Sequence, residues 1–307
     1  MLQIKNTLGG GKPEGSYVWK KYEYTSESYL RFIGNEDFTL RTLNTSKNWD
    51  GTLEYSTDAT TWSTWNGTEI SSSGNNLYLR GTGNTKISGS SENFKFVFTG
   101  ADTLRIACEG NIENLLDYET VTTGGHPTMA NNCYSNMFNG CTNLTTAPEL
   151  PATTLKNSCY SNMFYGCTRL TTAPELPATT LMSSCYSGMF SGCTSLTTAP
   201  QLPATTLADD CYTDMFNGCT YLTIVPELPA TILTSFCYRK MFYGCTNIKL
   251  SETQTGEYQT AYRIPTSDTG TTGSHSLLSM FTNTGGTFTG TPTINTTYYL
   301  STSNFIV

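Results

Sequence analysis

A 26-residue unit recurs five times without insertion or deletion, and this periodicity constrains the fold more than any other feature of the chain. From Cys133 the sequence reads CYSNMFNGCTNLTTAPELPATTLKNS, and from Cys159 it reads CYSNMFYGCTRLTTAPELPATTLMSS. Further copies open at Cys185, Cys211 and Cys237, the last diverging after Thr246. A single unit is too short to bury Cys159, Met163, Phe164, Cys167, Leu170 and Leu181. Stacked units bury them in one shared core. Within a unit, Asn157 or Ser158 is expected to N-cap a short helical turn. Cys159 and Met163 then share one face of that turn, and Gly166 ends it in a positive-φ conformation. Leu170 to Pro174 reads as a short extended segment that Pro177 breaks.

The period lies within the leucine-rich-repeat range of roughly 20–29 residues. The pattern CYxxMFxGCTxLTxxPxLPATTL resembles the BspA-like leucine-rich-repeat surface proteins, with Met137-Phe138 and its equivalents in place of that family's Ala-Phe pair. The resemblance spans residues 101–290. It implies an α/β leucine-rich-repeat solenoid of short strands and short helical turns.

Outside the repeats the pattern changes. Over 25–100, Phe38, Leu40 and Thr42 alternate with polar neighbours, as do Phe94, Phe96 and Phe98, which marks half-buried strands. Gly34-Asn35, Asp50-Gly51, Asn66-Gly67, Gly74-Asn75 and Gly83-Asn84 punctuate them as turns. An N-terminal all-β, sandwich-like domain is expected there, with Trp49, Trp62 and Trp65 as core or edge aromatics or as a sugar-stacking platform. Residues 1–24 read as an arm. Its LGGGKPEG lacks phosphate-loop spacing. Ile106, Cys108, Ile112, Leu115 and Leu116 suit a capping coil over 101–132, with repeats over 133–262. A β-prone cap is expected over 263–307, where Met280-Phe281 comes 39 residues after Met241, 26 plus 13.

Signs of catalysis are few. The two histidines, His126 and His275, have no partner at catalytic or metal-ligand spacing. Ten of the eleven cysteines belong to the repeat, at a spacing unlike that of zinc sites. Reduced thiols packed as small hydrophobes are favoured. The other reading is a bridge within each unit, as Cys133–Cys141, which leaves Cys108 unpaired. Glu149, Glu175, Gln201 and Glu227 recur at one position and read as a solvated rim. No catalytic residue, metal or cofactor is therefore expected. A glycan-processing enzyme ranks last among the functions considered.

Binding is the expected role, carried by positions that vary while the core repeats. One column runs Asn143, Arg169, Ser195, Tyr221, Asn247, and a second contains Tyr165 and Tyr243. Tyr and Arg are the side chains that most often carry interface energy. Charged residues form 13% of the chain and the net charge is −7. No cationic cluster exceeds Lys20-Lys21, so nucleic acid is not an expected partner. Neither a membrane span nor a secretory signal is expected from the sequence.

The segments MLQIKNTLGGGKPEGSYVWKKYE, WDGTLEYSTD and LYLRGTGNTKISG, taken with the repeats, resemble tail-associated proteins of prophages in gut bacteria. That resemblance implies a virion protein as partner of the N-terminal region and a protein or glycan on a cell surface as partner of the repeats. Homo-oligomers are compatible with it. The alternative is a BspA-like adhesin on the bacterial surface.

Overall fold

The computed structural model describes residues 29–45, 47–88, 94–265 and 273–307. The arm expected over 1–24, LGGGKPEG and Lys20-Lys21 included, lies outside the described residues. The described chain is β-rich, with several open sheets and one helix. Eight strands precede that helix: β1 (Leu30–Gly34), β2 (Thr39–Thr42), β3 (Thr52–Ser56), β4 (Ser63–Trp65), β5 (Ile70–Ser71), β6 (Asn76–Thr82), β7 (Phe96–Thr99) and β8 (Ile106–Glu109). After helix α1 (Asn114–Thr122) come β9 (Leu144–Thr146), β10 (Ile224–Val225), β11 (Lys249–Ser251), β12 (Tyr258–Arg263), β13 (Gly285–Gly286), β14 (Thr297–Ser301) and β15 (Phe305–Ile306).

The N-terminal strands obey the period-two pattern. In β1 and β6 alternate residues are buried, and β1 pairs antiparallel with β6 and β8. A six-stranded sheet runs β4-β3-β6-β1-β8-β9 and a three-stranded one runs β5-β2-β7. Aromatic side chains fill the space between them: the Phe32 ring lies 5.1 Å from Phe98, and Trp65 lies 5.8 Å from Phe96. Trp49 stacks on Trp65 at 5.4 Å and both are buried, so these two are core residues and not a sugar platform. Trp62 is half-buried, with the Arg80 guanidinium 4.1 Å from its ring centroid.

No break separates this region from the repeats. β8 pairs parallel with β9 of the first unit, Ile106 opposite Leu144, and the buried apolar residues form one cluster from Leu30 to Leu300. Helix α1 contains a kink at Asp117 (φ −156°, ψ 99°), whose carboxylate accepts the Thr120 N–H as an internal cap. Leu115 and Leu116 are buried before the kink.

The repeats depart from expectation in their backbone conformation. The segment 158–166 is a run of tight turns, and the expected helical turn is not formed. Alternate N–H groups close turns onto the residue three back, as Met137 to the Tyr134 carbonyl (3.2 Å) and Cys141 to Phe138 (3.0 Å). The N–H groups between them reach into the next unit, as Tyr134 to Cys159 (2.8 Å), Phe138 to Met163 (2.9 Å) and Gly140 to Tyr165 (2.7 Å). A helix would spend both sets internally. Dividing them instead requires a left-handed residue every fourth position, seen at Asn132, Asn136 and Gly140 (φ 58°, 60° and 71°). Ser158 (φ 55°) occupies the first of these places and is not an N-cap, whereas Gly166 has the expected positive φ of 68°. At the third place a side chain is also confined by its neighbour, since a Cβ on Gly192 would lie 3.4 Å from the Gly166 Cα. The extended segment is reduced to single parallel bridges, Thr146 to Thr172 and Thr172 to Thr198.

Identical residues therefore stack in columns. Phe138, Phe164, Phe190, Phe216 and Phe242 lie 5.4–5.7 Å apart with near-parallel rings. Tyr134, Tyr160, Tyr186, Tyr212 and Tyr238 do the same at 5.5–5.9 Å. Burying each such ring contributes about 1.5–3 kcal/mol. All eleven cysteines are free and buried. In the second column, each thiol donates to the phenylalanine carbonyl of the preceding unit: Cys167 to Phe138, Cys193 to Phe164, Cys219 to Phe190 and Cys245 to Phe216, at 3.0–3.1 Å. Burial pushes Cys141, Cys159, Cys219 and Cys237 up to about 12.

Both ends of the stack are closed by other parts of the chain. Phe96 of β7 takes the phenylalanine place ahead of the first unit: its N–H donates to the Met137 carbonyl (2.8 Å) and its carbonyl accepts the Cys141 thiol (3.2 Å). At the far end, 273–284 form a sixth run of turns within the expected cap, accepting from Tyr238, Phe242 and Gly244. Phe281 N–H then finds the Gly290 carbonyl (2.8 Å) and Ser279 N–H the Thr291 hydroxyl (2.7 Å). β12-β14-β11-β13 form a four-stranded sheet beside this end, and β15 adds in parallel to β10.

Candidate binding surface and an adjoining cavity

The variable columns arise because the turn bonds fix the backbone whatever side chain points outward. Asn143, Arg169, Ser195, Tyr221 and Asn247 each precede a fully buried Leu144, Leu170, Leu196, Leu222 or Ile248. All five reach the surface. Tyr221 is 63% exposed and Asn247 is exposed; the other three are half-exposed. Arg169 lies back along the preceding unit, with Nη1 donating to the Thr142 carbonyl at 3.1 Å.

In the second column Tyr165 is 47% exposed. Tyr243 is half-buried, its hydroxyl accepting from Asn283 Nδ2 at 2.9 Å and its ring 5.7 Å from the Lys240 ammonium. The remaining members of that column are tied down: Ser191 is buried, and Asn139 and Asn217 donate to Asn136 and Asp214. The structure thus keeps the seven expected residues accessible but spreads them over five units. Arg169 and Tyr221 stand two units apart, and Tyr165 and Tyr243 three. At the first unit the stripe meets a cavity of about 300 Å³ lined by Lys95, Asn139 and Asn143 among others.

Glu175, Gln201 and Glu227 are exposed and Glu149 is half-buried, as a rim. Among the described residues no three His, Cys, Asp or Glu side chains are gathered so as to hold a metal ion. No described helix is long and apolar enough to cross a membrane.

The sequence offers His126 no partner at catalytic or metal-ligand spacing, and the structure supplies one from outside any such spacing. Its Nδ1 lies 2.8 Å from Glu113 Oε2. Glu113 precedes α1 yet makes no side-chain cap bond; its carboxylate is buried beneath the half-exposed imidazole instead. Its other oxygen, Oε1, is buried without a hydrogen-bond partner. Burial raises the Glu113 carboxyl above the usual range, and His126 partly offsets this. The pair borders a second cavity of about 300 Å³, completed by Pro127, Thr128, Met129, Ala152, Thr153, Thr154 and Lys156. Nothing in the sequence signals this site: Glu113 and His126 are thirteen residues apart in no motif, and the other wall comes from the first repeat.

Comparison of the chain with known protein families, with curated proteins and with solved structures finds no match.

Proposed function

We propose that this chain is a non-enzymatic binding protein, whose repeats form a leucine-rich-repeat solenoid that presents the stripe from Asn143 to Asn247 to an extended partner on a cell surface. The observation that carries this reading is the separation of roles along each unit. Columns facing inward keep buried apolar residues in every copy, while the column of Arg169 varies and reaches the surface throughout, as do Tyr165 and, in part, Tyr243 in the column beside it. A uniform scaffold with a variable outer stripe is the arrangement by which solenoids gain extended binding surfaces.

The sequence resemblance to prophage tail-associated proteins supports placing the chain on a virion, with the N-terminal region docked to another virion protein. The CYxxMFxGCTxL pattern supports the second reading, an adhesin of the BspA-like type on a bacterial surface.

The test is capture of the fluorescently labelled full-length chain by intact gut bacteria, compared with its capture by host matrix proteins. Replacing Arg169 and Tyr221 together with Ala is expected to lower capture by roughly 30-fold or more, the scale of a lost interface hot spot. The thermal midpoint should stay unchanged, since neither side chain is buried. Undiminished capture by the double variant would overturn the stripe as the recognition face.

A further inference from the structure

We propose that the cavity over Glu113 and His126 is a second binding site, built for a neutral polyhydroxylated ligand such as the terminal sugar of a glycan chain. Its volume of about 300 Å³ is at the lower end for small-molecule sites and suits a single monosaccharide. Its walls combine an apolar side, from Pro127, Met129 and Ala152, with the hydroxyls of Thr128, Thr153 and Thr154. A pyranose has the same division, with C–H faces and a hydroxyl rim.

The charges select against ionic ligands. An anion would meet the Glu113 carboxylate, and a cation would meet the Lys156 ammonium. A neutral hydroxyl can serve both, accepting from Lys156 and donating to an acceptor. The acceptors are present. With Nδ1 engaged by Glu113, the Nε2 of His126 is left for a ligand hydroxyl, which can donate to it or accept from it. Beneath it, Glu113 Oε1 is buried without a hydrogen bond of good geometry, the Asn111 side chain being the donor that acts on this carboxyl besides His126, and an incoming O–H relieves that deficit. Reaching Oε1 requires the imidazole to turn aside. His126 is 54% exposed and lies on a segment without helix or strand, so little packing opposes that motion.

This inference does not rest on the stripe, and the experiment keeps the two apart. The chain has two histidines, so proton–nitrogen NMR of the full-length protein resolves both imidazoles, with His275 as internal control. Glucose, galactose and N-acetylglucosamine are titrated, alongside glucuronate and glucosamine as charged counterparts. At least one neutral sugar should shift the His126 signals saturably, with a Kd on the order of 1 mM, and leave His275 in place. Thr154→Val and Lys156→Ala, both at exposed positions, should each weaken that sugar by roughly 10-fold, one hydrogen bond's worth. The Arg169/Tyr221 double variant should bind it normally. The proposal is overturned if no neutral sugar shifts His126, if a charged sugar does so equally well, or if both substitutions leave binding unchanged.

Discussion

Before residue 109 most buried polar contacts are made once; through the five repeats the turn bonds and thiol bonds recur from unit to unit. Asn84 illustrates the first manner: its side chain accepts the Gly51 N–H (2.6 Å) and donates to the Thr52 and Leu115 carbonyls (2.7 and 3.0 Å). Three segments of chain thus meet at one amide. The second manner is shown by the thiols of Cys167, Cys193, Cys219 and Cys245, each bonded to the phenylalanine carbonyl of the unit before it. The antiparallel region is specified by individual keystones. The stacked region is specified by columns, in which one member can fail while its neighbours hold the register. Both draw on one continuous core, so the contrast lies in how stability is distributed and not in where it ends.

The largest expected effect is alkaline unfolding driven from the columns. Burial keeps thiols such as Cys159 and Cys219 protonated to about 12 in the folded chain, whereas an unfolded thiol ionises near 8.5. Stability is therefore intact below about pH 8.5 and falls as pH rises toward the folded value, by about 1.4 kcal/mol per unit for each thiol. Ten thiols lie in the repeats, so their sum exceeds a typical ~5–15 kcal/mol within about one to two pH units. Circular dichroism should be lost between about pH 9.5 and 11. All four tryptophans precede residue 66, and the three within the described residues, Trp49, Trp62 and Trp65, report on the other region. Their fluorescence should change at the same pH if the core transmits the loss. Native tryptophan emission persisting after the dichroism has gone would break the single-core reading.

Next in size is the junction. Phe96→Ala removes a ring packed against Trp65 and Phe138, within the first turn-bonded contact of the stack. It should cost about 3–5 kcal/mol in urea denaturation, and a loss below ~1 kcal/mol would mean the stack does not depend on β7. The smallest effect is a paired one. Asn84→Ala should cost about 2–3 kcal/mol, because it strands buried backbone groups. Asn162→Gly should stay within ~0.5 kcal/mol, since the next unit already carries Gly188 at the equivalent left-handed position (φ 61°). Equal costs for the two would erase the distinction between keystone and column.

The sequence exposes the columns but not the bonds that make them. Five aligned copies identify Cys159, Met163, Phe164, Cys167 and Leu170 as inward, and all are fully buried. The same copies suggest a helical turn, because spacing four is shared by a helix and by a turn run with a left-handed residue every fourth place. What separates the two is the destination of alternate N–H groups, which no single copy records. The alternation of Phe94, Phe96 and Phe98 indicates strands, yet not that Phe96 stands in for a missing copy. The variable stripe is legible as a list of differences. The Glu113–His126 cavity is not, since its walls meet only when Glu113 and the segment 126–129 are laid beside the first unit.

The bonding of each unit to the next also bears on how such a chain can change in length. Because the donors of any copy fit the acceptors of any other, tandem duplication or loss of the 26-residue segment leaves every junction chemically intact. Each such event lengthens or shortens the outer face by roughly 5 Å, the spacing of adjacent hydrogen-bonded backbones. The molecule is in that sense a ruler whose span is set by its number of copies, while its two terminal closures, each encoded once, stay fixed.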